Sequence, residues 1–517
     1  MTELLSNYLG GRWQAGTGSG TVLRDPVLGT DLVRVDATGL DLRAGFAFAR
    51  EQGGRALRAL TYRQRGELLA SVVKVLQSHR DAYYEISTAN SGTTKADTGI
   101  DVDGAIYTVS SYARLAASLP DDHFLPDGDA QSLAKDGTFA TRHIQVPVQG
   151  LALFINAFNF PSWGLWEKAA PALLSGVPVV VKPATATAWL TQRMVKDVVD
   201  AGVLPAGALS VVCGGSAGLL DALEPLDVLS FTGSADTAAI LRAHPAATRH
   251  SVRVNIEADS INSAVLMPDA APGTPAFDLF VKELAREMTQ KAGQKCTAIR
   301  RAFVPAAHYE AAAQAVGARL ACTTVGNPRN EAVRMGSLVS RAQLASVREG
   351  LQALRAAADV LHDGSQTTLI DADPAASCCV APTLLGLATP DAVLANHVVH
   401  EVEVFGPVAT LLPYASVDQA VTQVARGQGS LVASLYGDDA AQLASAALQL
   451  APLHGRVHVV SPACAATQTG HGNVMPQSLH GGPGRAGGGA ELGGVRALDF
   501  YHRRVAIQGA PEVLSAL

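Results

Sequence analysis

The chain has 517 residues, of which 48% are hydrophobic and 17% are charged. This length exceeds what one hydrophobic core supports, so two or three globular domains are expected, and the composition excludes a disordered or fibrous protein. The 40 basic and 46 acidic residues give a net charge of -6, with the excess spread along the chain. We therefore expect neither a nucleic acid nor a membrane as a partner.

The cysteines and the N-terminal sequence bear on the cellular compartment of the protein. The six cysteines have neither the spacing of a disulfide framework nor a CxxC pair of the kind that binds a metal, so no metal site is expected. They suit a reducing cytoplasm. Residues 1–13 have no basic start and no apolar run, and no segment approaches the roughly 18 apolar residues of a membrane span. The sequence predicts a cytoplasmic protein.

The N-terminal part is predicted to contain short strands followed by helices. Strands are expected around Trp13 and at 22–24 and 32–35. Residues 42–116 have a helical pattern, in pieces separated at three glycine-containing sites, 53–54, 91–92 and Gly99. A connector rich in Pro, Asp and Gly follows at 117–137, and residues 139–146 are predicted to form a strand.

Residues 151–257 alternate between short apolar strands and helices. Strands are predicted at 151–156, 177–181, 209–213, 228–231 and 252–257. Helices are predicted at 163–175, 190–201, 217–223 and 235–243. This alternation predicts βαβ units with right-handed crossovers and hence a parallel sheet. Such sheets bind ligands beyond the carboxyl ends of their strands, so we expect a nucleotide-binding domain.

A second α/β region is predicted after residue 259. Its clearest element is an amphipathic helix whose apolar face consists of Phe277, Phe280, Val281, Leu284 and Met288. Strands are predicted at 264–266 and 302–304, a helix near 309–321, and further units to about 460. The glycine-dense segment 470–495 is predicted to be a loop, and the last strand is expected at 503–508.

Cys296 follows the amphipathic helix after a predicted helix stop at Gly293, so its thiol is expected on a turn that faces a cleft. A thiol placed in this way can serve as a nucleophile, and the alternative is a small, inert, buried side chain. Lys295 or a nearby helix N-terminus can lower the pKa of the thiol, although Lys295 can equally face solvent.

Two polar residues at strand ends are candidates for proton transfer and charge stabilisation. Glu257 ends a predicted strand beside apolar neighbours, where a carboxylate of raised pKa serves as a general base, and the alternative is a solvated acid. Asn159 follows the strand 151–156, where its amide can stabilise an oxyanion, and the alternative is a turn former before Pro161.

Three segments are candidates for binding phosphate or ribose. Lys182 follows the strand 177–181 and can hold a ribose hydroxyl or a phosphate, with a plain surface lysine as the alternative. Between a strand and a helix, the backbone amides of 231–234 and the hydroxyl of Ser234 suit a phosphate. The stretch 482–487 matches G-x-G-x-x-G, but no strand is predicted before it and too little chain follows for a βαβ unit, so we reject it as a dinucleotide fingerprint.

Taken in order, these segments resemble the aldehyde dehydrogenase superfamily from about residue 7 to the C-terminus. The residues that carry the resemblance are Asn159-Phe160-Pro161, Lys182-Pro183, Phe231-Thr232-Gly233-Ser234, Glu257, Gly293-Gln294-Lys295-Cys296 and Glu403-Val404-Phe405-Gly406-Pro407. The resemblance implies an α/β fold with three parts. These are a Rossmann-like cofactor domain (1–123 and 147–259), a catalytic domain (260–485) and a small β oligomerisation arm (124–146 and 486–517).

The resemblance also implies a role for each residue. Cys296 attacks an aldehyde to give a thiohemiacetal, whose oxyanion is held by the Asn159 amide and the Cys296 backbone N–H, and a thioester follows. Glu257 activates the water that hydrolyses this thioester. The implied cofactor ligands are Lys182 and Ser234 at the adenosine ribose and the pyrophosphate, Gly233 in the same turn, Glu403 at the nicotinamide ribose and Phe405 beside the nicotinamide ring.

The sequence departs from the family pattern at several positions. The Gly-Gly pair that usually follows the general base is Ala258-Asp259 here, and Lys295 precedes the nucleophile; both put the substrate range in doubt more than the chemistry. Thr185 stands where NAD-preferring members often carry a glutamate, whose carboxylate would repel a 2′-phosphate. We therefore expect NADP as the cofactor, with NAD as the alternative.

The segment 470–495 is similar to a narrower branch, the coenzyme A-linked semialdehyde dehydrogenases of aerobic benzoate and phenylacetate catabolism. The phenylacetate enzymes carry a fused hydratase domain, for which 517 residues leave no room. The resemblance therefore implies 3,4-dehydroadipyl-CoA semialdehyde of the benzoate pathway as substrate and a homodimer or homotetramer as assembly. The alternatives are the longer phenylacetate-pathway substrate, a CoA-acylating aldehyde dehydrogenase and a catalytically silent scaffold.

Overall fold

The computed structural model describes residues 2–517. Its strands are β1 (Glu3–Leu5), β2 (Asn7–Leu9), β3 (Arg12–Gln14), β4 (Thr21–Arg24), β5 (Asp31–Val35), β6 (Leu125–Pro126), β7 (Gln131–Ser132), β8 (Ala140–Pro147), β9 (Ala152–Ile155), β10 (Val179–Lys182), β11 (Leu209–Val211), β12 (Val228–Thr232), β13 (Arg253–Glu257), β14 (Asn262–Leu266), β15 (Ile299–Pro305), β16 (Asp359–Asp363), β17 (Thr383–Gly386), β18 (Val408–Tyr414), β19 (Ser430–Tyr436), β20 (His454–Val460), β21 (Leu479–Gly481), β22 (Ala490–Leu492) and β23 (His502–Gly509).

Helices cover these strands and connect them. The α-helices are α1 (Leu42–Phe48), α2 (Arg55–Arg58), α3 (Tyr62–Ser78), α4 (Arg80–Ser91), α5 (Lys95–Leu115), α6 (Trp163–Leu174), α7 (Ala188–Asp200), α8 (Ala235–Ala243), α9 (Pro245–Thr248), α10 (Pro275–Thr289), α11 (Tyr309–Ala321), α12 (Arg341–Arg355), α13 (Pro390–Ala395), α14 (Val398–Glu401), α15 (Val417–Ala425), α16 (Ala440–Leu450) and α17 (Pro511–Ser515). None of the helices within residues 2–517 combines the length and the apolar character needed to cross a bilayer.

The first large sheet has seven strands in the order β13-β12-β9-β10-β11-β2-β3. The five strands from β13 to β11 are parallel, and β2 joins them in the antiparallel direction. Val179 and Val181 of β10 pack into one hydrophobic core and Val180 into another, so the sheet is buried on both faces, as parallel sheets usually are. The predicted parallel sheet over 151–257 is confirmed.

The second large sheet also has seven strands, in the order β16-β17-β18-β15-β14-β19-β20. All neighbours are parallel except β16 and β17. Helix α10 packs against this sheet through the predicted apolar face, and Phe280, Leu284 and Met288 are fully buried there. This packing fixes the segment that leads to Cys296.

A smaller antiparallel sheet joins two distant parts of the chain. Strand β8 pairs with β23 over eight residue pairs, from Ala140 with Gly509 to Pro147 with His502, and β6 and β7 extend the other side. The two strands predicted at 139–146 and 503–508 are therefore confirmed, and they are partners.

Several predicted boundaries are wrong. Gly99 lies inside the 21-residue helix α5, because tertiary packing of so long a helix outweighs the roughly 1 kcal/mol cost of one glycine. At Gly53-Gly54 the chain continues as a π-helical turn, and Gly53 is required there because a Cβ would clash with the Gly207 carbonyl. The predicted helix 217–223 is only a 3₁₀ turn at Leu220–Ala222, and the predicted loop 470–495 contains the hairpin β21–β22.

Candidate active site

The backbone reverses sharply between helix α10 and Cys296. The helix begins at its N-cap Thr274 and ends at Thr289, four residues before the predicted stop. Lys291, Ala292 and Gly293 then take positive φ angles of 52°, 51° and 69°. Gly293 is needed at the last of these positions, because a Cβ would clash with the Gly406 carbonyl. This reversal places the thiol of Cys296 at the seam between the two large sheets.

All nine residues predicted for catalysis and cofactor binding line one cavity of about 630 Å³. The cavity is bordered by the carboxyl ends of β9, β10, β12 and β13, as expected for a parallel sheet. The nine residues are Asn159, Lys182, Thr185, Gly233, Ser234, Glu257, Cys296, Glu403 and Phe405.

A second cavity of about 210 Å³ reaches Cys296 from another side. Its wall is largely apolar and comes from α5, from the segment around Trp163 and from residues 472–475. Cys296 lines both cavities, so it can face a small apolar substrate and a cofactor at the same time. The larger apolar side chains of this wall are Ile100, Tyr107, Phe160, Trp163, Val474 and Met475.

Hydrogen bonds fix the backbone on either side of the thiol. The Asn262 amide donates to the Cys296 carbonyl oxygen at 2.7 Å. The loop that carries Asn159 is held by the hydroxyl of Thr187, which donates to the Phe158 oxygen at 2.9 Å, and by that of Thr191, which donates to the Pro161 oxygen at 2.6 Å. The positions of Asn159 and of the Cys296 N–H are therefore set by ordered neighbours.

Glu257 forms a buried ion pair that the sequence did not predict. His480 Nε2 lies 3.0 Å from Glu257 Oε2, and both side chains are 3% exposed. Burial raises the pKa of Glu257, but the charges of His480 and Lys168 outweigh burial and hold it well below its usual range. The expected raised pKa is therefore wrong in this structure. Burial lowers the pKa of His480, but the carboxylates of Glu257 and Glu167 raise it by more.

The surroundings of Cys296 do not lower the pKa of its thiol. Burial raises this pKa, and the nearby carboxylate of Glu257 raises it further. Lys295 neither faces solvent nor activates the thiol, because its Nζ donates to Glu287 Oε1 at 2.8 Å and to Gln290 Oε1 at 2.6 Å in a buried site. Helix α10 ends toward Cys296, so its N-terminus does not act on the thiol. The lowered pKa that the sequence left open for this thiol is not found.

The end of the larger cavity near β10 carries a lysine, Lys182, that pairs with no acidic side chain within residues 2–517. Lys182 ends β10, burial lowers its pKa, and no carboxylate contributes to that shift. Thr185 begins a 3₁₀ turn, and its hydroxyl donates to the Gly214 carbonyl oxygen at 3.3 Å. This end of the cavity suits a ribose or a phosphate group.

The turn before α8 is less open to a phosphate than expected. Ser234 is the N-cap of α8, and its hydroxyl accepts the Thr237 N–H at 3.4 Å. The Gly233 N–H donates to the Glu257 carbonyl oxygen at 3.1 Å, and the Ala235 N–H donates to Asp259 Oδ1 at 3.0 Å. Of the amides of 231–234 that were predicted to suit a phosphate, that of Gly233 is therefore already engaged.

Glu403 and Phe405 lie together on the catalytic side of the cavity. Glu403 accepts the Ser260 N–H at 3.1 Å, and burial, partly offset by Arg300, raises its pKa to about 7. The Phe405 ring meets Phe158 edge-on at 5.7 Å and lies 5.6 Å from the Arg300 guanidinium. These contacts make a flat apolar surface with a hydrogen-bonding carboxyl group beside it.

The sequence reasoning assigned no catalytic or cofactor-binding role to three charged residues of the site. His480 belongs to β21, Arg485 lines the cofactor cavity, and the carboxylate of Asp259 lies 4.0 Å from Arg485. Arg485 belongs to the rejected G-x-G-x-x-G stretch. A short strand, β21, does precede that stretch, but it leads into an antiparallel hairpin and not a βαβ unit, so its rejection as a fingerprint is confirmed.

Fold and site together describe an α/β protein in which a cysteine lies between a small apolar cavity and a dinucleotide-sized cavity. The profile of the Aldehyde dehydrogenase family matches residues 13–506, and the chain belongs to this family. Members are oxidoreductases that convert aldehydes to acids with NAD or NADP.

Individual relatives agree with this membership. The chain is 56% identical to 3,4-dehydroadipyl-CoA semialdehyde dehydrogenase of Aromatoleum evansii over 480 residues, which are 93% of each protein. It is 41% identical to Protein MaoC of Klebsiella aerogenes over 183 residues, 35% of this chain and 52% of that protein.

Solved structures show the same fold. A mutant aldehyde dehydrogenase of Bacillus cereus is 20% identical, with a TM-score of 0.83 over 98% of this chain and 97% of that one. A betaine aldehyde dehydrogenase of Staphylococcus aureus in complex with NAD+ is 21% identical, with the same TM-score and coverage. At these identities the likeness establishes the fold alone.

Proposed function

We propose that this enzyme oxidises a coenzyme A-linked semialdehyde, 3,4-dehydroadipyl-CoA semialdehyde, to the carboxylic acid. The observation that carries the chemistry is the position of Cys296, where an apolar cavity and the larger cofactor cavity meet beside Glu257. The choice of substrate is supported by the relative from Aromatoleum evansii, which is named for this compound and shares 56% identity.

The side chains have complementary roles in the proposed mechanism. Cys296 attacks the aldehyde carbon as a thiolate, and the resulting oxyanion is held by the Asn159 amide and the Cys296 backbone N–H, each worth about 3 kcal/mol in comparable sites. The nicotinamide, when bound, supplies the acceptor for the electron pair that leaves the substrate carbon. The thioester that remains on Cys296 is attacked by a water from which Glu257 removes a proton.

A dinucleotide fits the larger cavity, because about 630 Å³ lies within the range of ligand sites and suitable groups line its length. Lys182 and Ser234 would hold the adenosine ribose and the pyrophosphate. Glu403 would hold the nicotinamide ribose, and Phe405 would pack beside the ring. The preference for NADP is supported by Lys182, which has no acidic partner in the described part of the chain, and by Thr185, which offers a hydroxyl where a carboxylate would repel a 2′-phosphate.

The size and lining of the smaller cavity suit the acyl chain of the substrate, and we infer that only this part of the substrate enters it. Its volume of about 210 Å³ is below the range of cavities that hold drug-sized ligands, so the nucleotide portion of coenzyme A stays outside. The wall is mostly apolar, which suits the methylene groups between the aldehyde and the thioester. We therefore expect this cavity to discriminate between substrates by the length of their acyl chain.

The decisive experiment compares six-carbon and eight-carbon CoA semialdehydes, each with NADP and with NAD. We expect the highest kcat/KM for the six-carbon substrate with NADP. A higher value for the eight-carbon substrate would assign the enzyme to the phenylacetate-type reaction. Absence of cofactor reduction with any aldehyde would point to a silent scaffold.

The CoA-acylating alternative transfers the acyl group to coenzyme A instead of water and needs no general base. Exchange of Glu257 for Gln separates the two: the hydrolytic reaction should stall with acyl group on Cys296, detected by intact mass. Unchanged steady turnover of Glu257→Gln would contradict the hydrolytic role. Added coenzyme A should not accelerate turnover of the native enzyme.

We also assign residues 124–146 and 486–517 to an oligomerisation arm, beside a cofactor domain (1–123 and 147–259) and a catalytic domain (260–485). The assignment is supported by exposed apolar side chains on the arm, among them Leu133, Phe139, Val505 and Val513. We expect a homodimer or homotetramer by light scattering, and charged substitutions at Phe139 and Val505 should yield monomers.

A further inference from the structure

The ion pair between Glu257 and His480 is under-bonded for a buried site. Their closest atoms are 3.0 Å apart, yet both Glu257 oxygens and His480 Nε2 lack a directed hydrogen bond within residues 2–517. Buried charges normally form several such hydrogen bonds, so the Glu257 oxygens and His480 Nε2 can still accept or donate further ones. The thiol of Cys296 is close by, since its sulfur and the ligating atoms of Glu257 and His480 all lie within 4.8 Å of one another.

The His480 ring is held in place and borders the smaller cavity. It meets the Trp163 ring edge-on at 5.4 Å, and it lines the same cavity as Cys296. Its own strand, β21, pairs with β22, where Glu491 is the residue opposite. The His480 ring is therefore a fixed part of the cavity wall and not a mobile loop side chain.

The charges that face His480 come from three elements. Glu257 lies on β13, Glu491 on β22, and Glu167 and Lys168 on α6. Lys168 Nζ lies 2.6 Å from Glu167 Oε1 and 3.1 Å from Glu491 Oε2. Burial raises the pKa of Glu167 to about 8, so the negative charge that favours a proton on the imidazole comes first from Glu257.

We propose that Glu257 and His480 act as one base, so that the proton Glu257 removes from the hydrolytic water is held by His480. This inference rests on the proposed function and identifies a positioning and proton-holding residue for its second half. His480 acts through Glu257 and not directly on the acyl group.

Protons and electrons balance over this half of the reaction. The base is active with Glu257 ionised and His480 neutral. The water oxygen bonds to the thioester carbon while its proton passes to Glu257, and the proton then crosses the 3.0 Å gap to His480 Nε2. The carbon–sulfur bond breaks, and Cys296 leaves as a thiolate with the electron pair. The imidazolium releases its proton to solvent before the next turnover.

This arrangement explains how a carboxylate of depressed pKa can serve as a base. Glu257 opposite an imidazolium binds a proton weakly, whereas the coupled pair accepts one with the affinity of the imidazole. The pKa of His480 is raised above its ordinary value by its carboxylate neighbours. Activity is therefore lost as the pH falls through this raised pKa, and it is fully present above it.

The test uses His480→Gln, which can still donate a hydrogen bond to Glu257 but cannot hold a proton. With hexanal and NADP+ in a stopped-flow instrument, the variant should release one reduced cofactor per active site and then turn over on the order of 10²-fold more slowly than the native enzyme. Intact mass should show the acyl group on the protein, as for Glu257→Gln. Turnover at the native rate, or slow turnover without acyl-enzyme, would overturn the proposal.

A matched control is His471→Gln, a buried histidine of the same segment whose Nδ1 lies 2.8 Å from the Ser434 hydroxyl. It should lower thermal stability without moving the acid limb of the pH–rate profile, whereas His480→Gln should move that limb by a unit or more. Added imidazole should restore turnover to His480→Ala. The same acid limb in the pH–rate profiles of the native enzyme, His471→Gln and His480→Gln would contradict the proposal. If the native enzyme forms no reduced cofactor and no Cys296 adduct, it is the proposed function that fails.

Discussion

Two buried ion pairs flank Cys296, and they differ in how completely they are bonded. Lys295 donates to both Glu287 and Gln290 in good geometry, while His480 and Glu257 face each other without a directed hydrogen bond. A cation held by two hydrogen bonds fixes the backbone beside it and has no reason to give up a proton, although Glu287 Oε2 itself lacks a partner within residues 2–517. An imidazole that faces a carboxylate beside a nucleophile, and whose Nε2 has no directed hydrogen bond, is poised to exchange a proton. The comparison separates charges that hold the fold from charges that perform chemistry.

The largest effect is expected from removing the nucleophilic sulfur. Cys296→Ala should lower turnover by at least roughly 10⁴-fold, because no covalent intermediate can form and the Glu257–His480 pair then has no thioester to hydrolyse. Formation of reduced cofactor with hexanal measures the loss. The control is Cys322→Ala, an exposed cysteine at the end of α11, which should keep native activity. Native turnover of Cys296→Ala would refute the covalent route.

The second prediction tests whether the Lys295 pair is structural. Lys295→Met leaves the Glu287 carboxylate buried without its cation, so we expect a loss of about 3–5 kcal/mol in the free energy of unfolding. Chemical denaturation measures it. The loop that lines the substrate cavity should also loosen, because Gly472 packs directly against the Lys295 ammonium.

The matching double variant, Lys295→Met with Glu287→Gln, removes both charges and should recover part of the lost stability. The acid limb of the pH–rate profile should stay where it is in both variants, since this pair exchanges no proton with the substrate. A single variant as stable as the native enzyme would remove the distinction between the two pairs.

Local patterns predicted most of the fold, and local patterns together with the family resemblance pointed to nine of the residues that line the large cavity. Strand and helix periodicity is encoded over ten or fifteen residues, and Asn159, Lys182 and Glu257 follow strands that could be recognised in this way. The pairing of His480 with Glu257 could not be predicted, because the two residues lie far apart in the sequence and the intervening chain contains the second large sheet. The signs of the pKa shifts were wrong for the same reason: Glu257 and Cys296 titrate in a field set by residues that only the tertiary structure brings together.

The smallest effect is expected from placing an acidic side chain near Lys182. Lys182 borders the cofactor cavity without an acidic partner, and Thr185→Glu would introduce a carboxylate near it. The new carboxylate would compete for Lys182 and repel a 2′-phosphate, so the ratio of kcat/KM for NADP over NAD should fall about 10- to 100-fold, with each tenfold step worth about 1.4 kcal/mol.

Thr248→Glu, the same change at an exposed position of α9, controls for net charge and should leave the ratio unchanged. An unaltered ratio in Thr185→Glu would show that this end of the cavity does not contact the adenosine ribose, and that an unpaired charge at a cavity wall is not by itself a sign of function.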